Sequence, residues 1–334
     1  METQDRLKIY AFSKLSKPKL LEVKRFLSRC EKVDHHVARF YWDSIQDRKN
    51  RGVNEVLCYA GDKTLVAYMA LYHFEENEAE VTLMVDPNYR SPLFYSLLWE
   101  QLKQSMARFS INLSHYVFTC NQQFHSLKEY VRRLGAECSE WTYQLCITPA
   151  LYAKSKAHAN PLVQNVVWRQ ATLSDVSTVA AIETDNFNLK ALDYETHVQN
   201  TLEHPHKAIW MALIDDKVVA KIHVDTEDPK KTALYDFCIP LEAHNKGYEG
   251  VLVQSIVGLL FEQSSKKILV DVTDEYDLHW YKRLGFKCVG VYEHWRLRAY
   301  VSPIKERVKQ LDSMLLNFNC YQMQDQASII LQKH

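Results

Sequence analysis

Ile239-Pro240-Leu241-Glu242-Ala243-His244-Asn245-Lys246-Gly247-Tyr248-Glu249-Gly250-Val251-Leu252-Val253-Gln254 reads as a strand end, a short glycine-bearing turn and the opening of an apolar helix. Such a turn favours an anion, because unpaired backbone N–H groups and the positive end of the helix dipole converge on whatever fills it. Further on, Leu278-His279-Trp280-Tyr281-Lys282-Arg283-Leu284-Gly285-Phe286 places a tyrosine on a short helix that ends at a glycine. A phosphate-sized cradle followed by helix, strand and a Tyr-x-x-x-Gly-Phe helix end is more specific than either half alone.

Outward from this stretch, the second half of the chain reads as an alternation of strands and helices. Val166–Ala171 is strand-like, and Thr172-Leu173-Ser174-Asp175 is a capping-box pattern ahead of the periodic Val176, Val179, Ile182 face. Helical character continues through Tyr194–Leu202. A hairpin follows, formed by Ile209–Ile214 and Lys221–Val224. Then come a strand at Ala233–Ile239, the glycine turn with a helix to about Gln263, a strand at Lys267–Val272, the tyrosine helix, and a strand pair near Cys288–Arg298. The first half repeats this order from about Leu7 to Thr148. Leu134-Gly135-Ala136-Glu137-Cys138 echoes Leu284-Gly285-Phe286-Lys287-Cys288, and Asp62-Lys63-Thr64-Leu65-Val66-Ala67 echoes Asp216-Lys217-Val218-Val219-Ala220. Strands followed by helices, with a hairpin first, predict an α/β fold built twice. The expected boundaries are residues 1–148 for the first domain, 149–163 for a linker rich in Ala, Lys and Ser, 164–300 for the second domain and 301–334 for an extension. Within that extension Ile304–Phe318 reads as an amphipathic helix bracing the two domains or contacting another subunit.

The glycine turn and the tyrosine helix resemble those of the GNAT N-acyltransferases. The resemblance implies two tandem domains, each a mixed, mostly antiparallel central sheet flanked by helices. It also implies acetyl-CoA as cosubstrate, with the pyrophosphate on the backbone amides of the turn. The family's Arg/Gln-x-x-Gly-x-Gly/Ala pattern falls on His244, Asn245, Lys246, Gly247, Tyr248 and Glu249, with Gly250 one place later. His244 and Glu249 depart from the pattern, and a carboxylate beside a pyrophosphate is repulsive unless it points away or meets a cation such as Lys246. Tyr281 matches the residue that protonates the departing CoA thiolate, a role open to a phenol because a thiolate is readily protonated by a nearby donor. Packing in the core is the alternative role for this side chain. Ile239 matches the strand-end position whose backbone polarises the thioester carbonyl, next to Cys238. Asp236 is the best-placed carboxylate for relaying a proton from an ammonium acceptor, or else a cap or ion-pair partner. Asp274, where the family often has asparagine, is a further cofactor-side candidate, and His223 and Asp225 are weaker acceptor-side ones.

The first half departs more. Its equivalent turn, Arg90-Ser91-Pro92-Leu93-Phe94-Tyr95, has leucine and tyrosine where the glycines belong, and Pro92 removes an amide donor. Val131 stands where Tyr281 stands in the second half, with Tyr130 one residue early, a shift of about 100° around a helix. This domain is expected to have lost the cofactor and to serve structure or acceptor recognition.

Bulk properties exclude other classes. Of 334 residues 47% are apolar and 25% charged, an ordinary globular composition, and 41 basic residues balance 41 acidic ones, which argues against nucleic acid or an anionic membrane as partner. The longest apolar stretch, Gly250 to Phe261, is too short to span a membrane, and the N-terminus lacks the basic-then-apolar order of a secretion signal. Eight scattered cysteines without Cys-x-x-Cys read as free thiols of a cytoplasmic protein. His35-His36 and His204-Pro205-His206 have no partner at a zinc spacing, so no metal is expected. Together these readings give an N-acetyltransferase acting by direct attack of a primary amine on acetyl-CoA, the acceptor being a small molecule or a protein. Two rivals stay open: a silent CoA-binding or protein-interaction module, and a tRNA-dependent aminoacyl transferase on the same fold.

Overall fold

The computed structural model describes residues 7–34, 39–46, 53–61, 63–75, 77–107, 113–156, 166–187, 193–244 and 246–299. The chain forms two compact units, one comprising residues up to Trp141 together with the chain from Tyr292, the other Thr142–Val291. The expected breaks at 148/149 and 163/164 are therefore not where the units divide. The helix of the expected C-terminal extension lies outside the described residues.

In the first unit the order is β1 (Lys8–Phe12), α1 (Lys17–Asp34), α2 (Trp42–Gln46), β2 (Glu55–Tyr59), β3 (Leu65–Glu75), β4 (Glu78–Val85), α3 (Pro92–Ala107), β5 (His115–Asn121), α4 (His125–Arg133) and the start of β6 (Glu137–Ile147). β1 to β4 pair antiparallel in sequence, β4 pairs parallel with β5, and Tyr292–Arg298, far later in the sequence, pairs antiparallel with β5. Apolar residues alternate to both faces. Phe94, Leu98, Trp99 and Leu102 of α3 pack on one, and Val23, Phe26, Leu27 and Cys30 of α1 on the other.

The second unit takes the end of β6 as a strand of its own sheet, paired antiparallel over Tyr143–Ile147 with Ile268–Val272. It continues through α5 (Pro149–Lys156), β7 (Val167–Gln170), α6 (Val176–Phe187), α7 (Tyr194–Glu203), β8 (Lys207–Ile214), β9 (Lys217–Asp225), β10 (Thr232–Cys238), α8 (Glu249–Glu262), β11 (Ile268–Val272) and α9 (Glu275–Arg283) to β12 (Lys287–Arg298). The strand pair expected near Cys288–Arg298 is this one strand, because its second part finds its partner in β5 and needs no hairpin. The expected linker is in part structural. Tyr152 of α5 packs its ring 5.6 Å from that of Phe261, and residues 157–163 lie outside the described ones.

Local chemistry explains several of these elements. Asp215 and Asp216 both adopt positive φ, 48° and 61°, the left-handed geometry of a tight two-residue hairpin between β8 and β9. The Asp175 carboxylate accepts from the Thr172 N–H at 2.8 Å and from the Arg169 guanidinium at 2.7 and 2.8 Å, which starts α6 and holds that carboxyl far below the usual range. Leu252, Val253, Ile256, Val257 and Leu260 give α8 one continuous buried face, each side chain contributing roughly 1.5–3 kcal/mol by leaving water.

Candidate active site

β10 decides the site. It pairs parallel with β11 only over Thr232–Leu234 against Ile268–Val270, after which no further pairs form between them. On its other side the antiparallel register with β9 shifts between Tyr235 and Cys238, and Asp236 sits in the bulge at φ 48°. A bulge of this kind re-aims a side chain, here bringing the Asp236 carboxylate to 4.0 Å from His223 Nδ1. The strand end is fixed through one carbonyl, since Ile239 accepts from Asn186 Nδ2 at 3.1 Å and from His244 Nε2 at 2.8 Å. That contact assigns the His244 proton to Nε2.

After the single turn Leu241–Ala243, Gly247 takes φ 71°, a conformation that side chains rarely adopt. α8 begins at once, and its cap residue Tyr248 makes no side-chain capping bond to the first amides of the helix. Glu249 occupies the first helical position, and among the described residues it forms no ion pair with the exposed Lys246. A Cβ on Gly250 would lie 3.3 Å from Leu284 Cδ2, so the helix start and the end of the tyrosine helix pack directly together.

Tyr281 is buried, its ring 5.2 Å from that of Phe286 and 4.8 Å from that of Trp280. Burial, reinforced by the nearby Asp277 carboxylate, raises its hydroxyl above the ordinary phenol value. The group is therefore held in the protonated form an acid needs. Gly285, at φ 98°, ends the helix where a Cβ would stand 2.6 Å from Ser155 Cβ, so α5 closes against this corner.

The other expected residues take varied positions. Asn245 lies outside the described residues. Cys238 is buried and burial pushes its thiol up to about 11, so only its backbone is available to a ligand. Asp274 caps α9 by accepting from the Asp277 N–H at 2.8 Å, and Asp225 accepts from the Glu227 N–H at 2.8 Å. Both carboxylates thus have local structural work. His204, half-buried, accepts from the N–H of the exposed His206, whereas His35 and His36 lie outside the described residues.

Behind the bulge lies a charged cluster that only His223 and Asp236 represented in the sequence reading. Lys221 Nζ donates to Glu183 Oε1 at 2.6 Å, and His223 Nε2 meets the same oxygen at 2.7 Å, with all three side chains 0–2% exposed. Burial alone would raise the Glu183 carboxyl, but the His223 and Lys221 contacts outweigh it and hold the group at about 2. Burial lowers the His223 imidazolium, assisted by the Lys221 charge, so the ring is neutral with its proton on Nε2. The signals that could have found the cluster were a glutamate four residues after Val179 on the buried face of α6, and a lysine and histidine two apart within the otherwise apolar run Val218–Val224.

A splayed and bulged strand, an uncapped helix start and a buried tyrosine at the adjoining helix end thus lie together in the second unit. Residues 176–286 match the model of the acetyltransferase (GNAT) family. A GCN5-related N-acetyltransferase from Sphaerobacter thermophilus shares the fold at a TM-score of 0.68 and 14% identity, over 88% of this chain and 96% of that one. A tandem GNAT protein from the clavulanic acid biosynthesis pathway does so at 0.67 and 13%, over 89% and 100%. N-myristoyltransferase from Saccharomyces cerevisiae is similar at 0.60 and 11%, over 89% and 81%. No curated protein matches the sequence. Among the described residues no helix is long and apolar enough to cross a membrane.

Proposed function

We propose that the second unit transfers an acetyl group from acetyl-CoA to a primary amine. The amine nitrogen attacks the thioester carbonyl carbon, the C–S bond breaks, and amide and CoA result. Tyr281 gives its proton to the departing thiolate, and the Asp236 carboxylate takes the proton lost by the amine. The Ile239 backbone would polarise the thioester carbonyl as oxyanion character develops. The turn His244–Gly250 would hold the pyrophosphate. The observation that carries this reading is the start of α8, uncapped behind a left-handed Gly247 and packed through Gly250 against the helix that carries Tyr281.

The protonated state of Tyr281 supports the donor role, since burial keeps the hydroxyl proton in place to be offered to the thiolate as it forms. The test is mass-spectrometric detection of CoA and N-acetyl product from acetyl-CoA and a panel of primary amines, with myristoyl-CoA as a parallel donor. Turnover with acetyl-CoA and at least one amine is expected. Turnover with the long-chain donor alone would replace acetyl by a fatty acyl group, and no turnover with any pair would favour a silent module.

A further inference from the structure

His197, His223 and Asp236 come together from α7, β9 and β10, with one donor atom from each within 4.8 Å of the others. The rings of His197 and His223 stack at 6.1 Å with a 13° interplanar angle. His223 is fully buried, and its Nδ1 is a buried nitrogen with no hydrogen-bond partner, 4.0 Å from Asp236 Oδ2. With the proton on Nε2, directed to Glu183, the atom facing Asp236 is a lone pair opposite a carboxylate. A buried lone pair that meets only a partly exposed carboxylate has no donor to satisfy it; a cation between the two satisfies both.

We propose that this triad binds a divalent transition-metal ion of the zinc class. Three features favour it. The donor set of two imidazoles and one carboxylate suits Zn²⁺ and leaves a fourth position for solvent. The Glu183–His223 contact is the carboxylate–histidine arrangement that fixes the ring and raises the basicity of a ligating nitrogen. The charges also balance: Glu183 is offset by Lys221, which leaves Asp236 as the net negative charge presented to the ion. A tetrahedral ion at ~2.0–2.1 Å from each donor needs them roughly 3.3 Å apart. Half-buried His197 and partly exposed Asp236 must therefore move inward, whereas His223 is already set. Sequence spacing does not show the site, because its ligands are 26 and 13 residues apart on three elements.

The ion stands in front of Asp236, where the transfer reading places the amine. If that reading holds, Zn²⁺ raises the apparent KM for the amine, but the metal site itself does not depend on it. Its test contains neither acyl-CoA nor amine. The full chain, stripped with chelator and desalted, is titrated calorimetrically with ZnCl₂ and spectroscopically with CoCl₂. One ion per chain is expected, with the intense visible bands of four-coordinate Co²⁺. His197→Ala and Asp236→Asn, both at sites away from the sealed core, should each weaken binding tenfold or more. Glu183→Gln should weaken it about 10–100-fold through the orientation of His223, with circular dichroism and thermal melting establishing that each variant is folded. Absence of zinc binding in the parent chain overturns the proposal. So does binding that His197→Ala and Asp236→Asn leave unchanged, which would put the ion on other groups such as the exposed Cys288 or the His204/His206 pair.

Discussion

Arg90–Tyr95 in the first unit and His244–Gly250 in the second are the same turn in two conditions. In the first, the groups that would meet a phosphate have found partners within the protein. Arg90 is bound to the Asp34 carboxylate through both terminal nitrogens and donates its Nε–H to the Val85 carbonyl at 3.0 Å. Ser91 Oγ accepts from the Phe94 N–H at 3.2 Å and so caps α3, while Pro92 contributes no amide. Leu93 and Tyr95 stand at the glycine positions of the pattern. At the corresponding helix end Val131 is buried and Tyr130 packs at 5.5 Å against Tyr95. In the second turn Gly247 is left-handed, the helix start is uncapped and Tyr281 adjoins it. An anion site is lost less by removing its donors than by giving them internal acceptors.

The comparison is sharpened first at its chemical end. Tyr281→Phe is expected to lower kcat about 100-fold or more with CoA affinity nearly unchanged, the usual scale for losing a general acid; Tyr130→Phe should leave kcat alone. Steady-state kinetics beside CoA titration decides it, and unchanged turnover in Tyr281→Phe removes the residue from the mechanism. The first turn is tested through stability. Arg90→Ala strands the Asp34 carboxylate, whose side chain is 8% exposed, and should cost about 3 kcal/mol in denaturant unfolding without changing CoA affinity. A loss of CoA affinity there would mean that the first turn also holds cofactor.

The smallest effect lies in the first unit's final strand. Burial, aided by Arg39, lowers His294 to about 4 from the ordinary 6.5. The unfolded chain takes up this proton more readily than the folded one, so the stability associated with the neutral ring is present above pH 6.5 and is lost as pH falls toward 4. About 2 kcal/mol should be gone at pH 5. His294→Gln should flatten that part of the stability profile, and an unchanged slope would assign the acid sensitivity elsewhere. Glu80, raised by burial, works in the opposite direction, which is why the variant and not the raw profile is the measurement.

How much was legible follows the range of each interaction. The capping box at Thr172–Asp175, the β8–β9 hairpin, the helix after Gly247 and the placement of Tyr281 before Gly285 depend on neighbours a few residues apart, and the spacing shows them. The destinations of β6 and of Tyr292–Arg298 were not legible, because either segment is an alternating strand able to pair with several edges. The register that β6 finds with β11, and Tyr292–Arg298 with β5, is set by packing over a long sequence separation. The Glu183, Lys221, His223 and Asp236 cluster was half visible for the same reason. Its residues stand out as charges on buried faces, but only the bulge at Asp236 brings the carboxylate to the histidine.

The central claim is that only the second turn remains open to a cofactor phosphate. Calorimetric titration of acetyl-CoA and CoA into the full chain and into Gly247→Trp tests it most directly. One site is expected in the parent chain, weakened about 100-fold in the variant, which is roughly 2.7 kcal/mol. Two sites, or one site indifferent to Gly247→Trp, would contradict it.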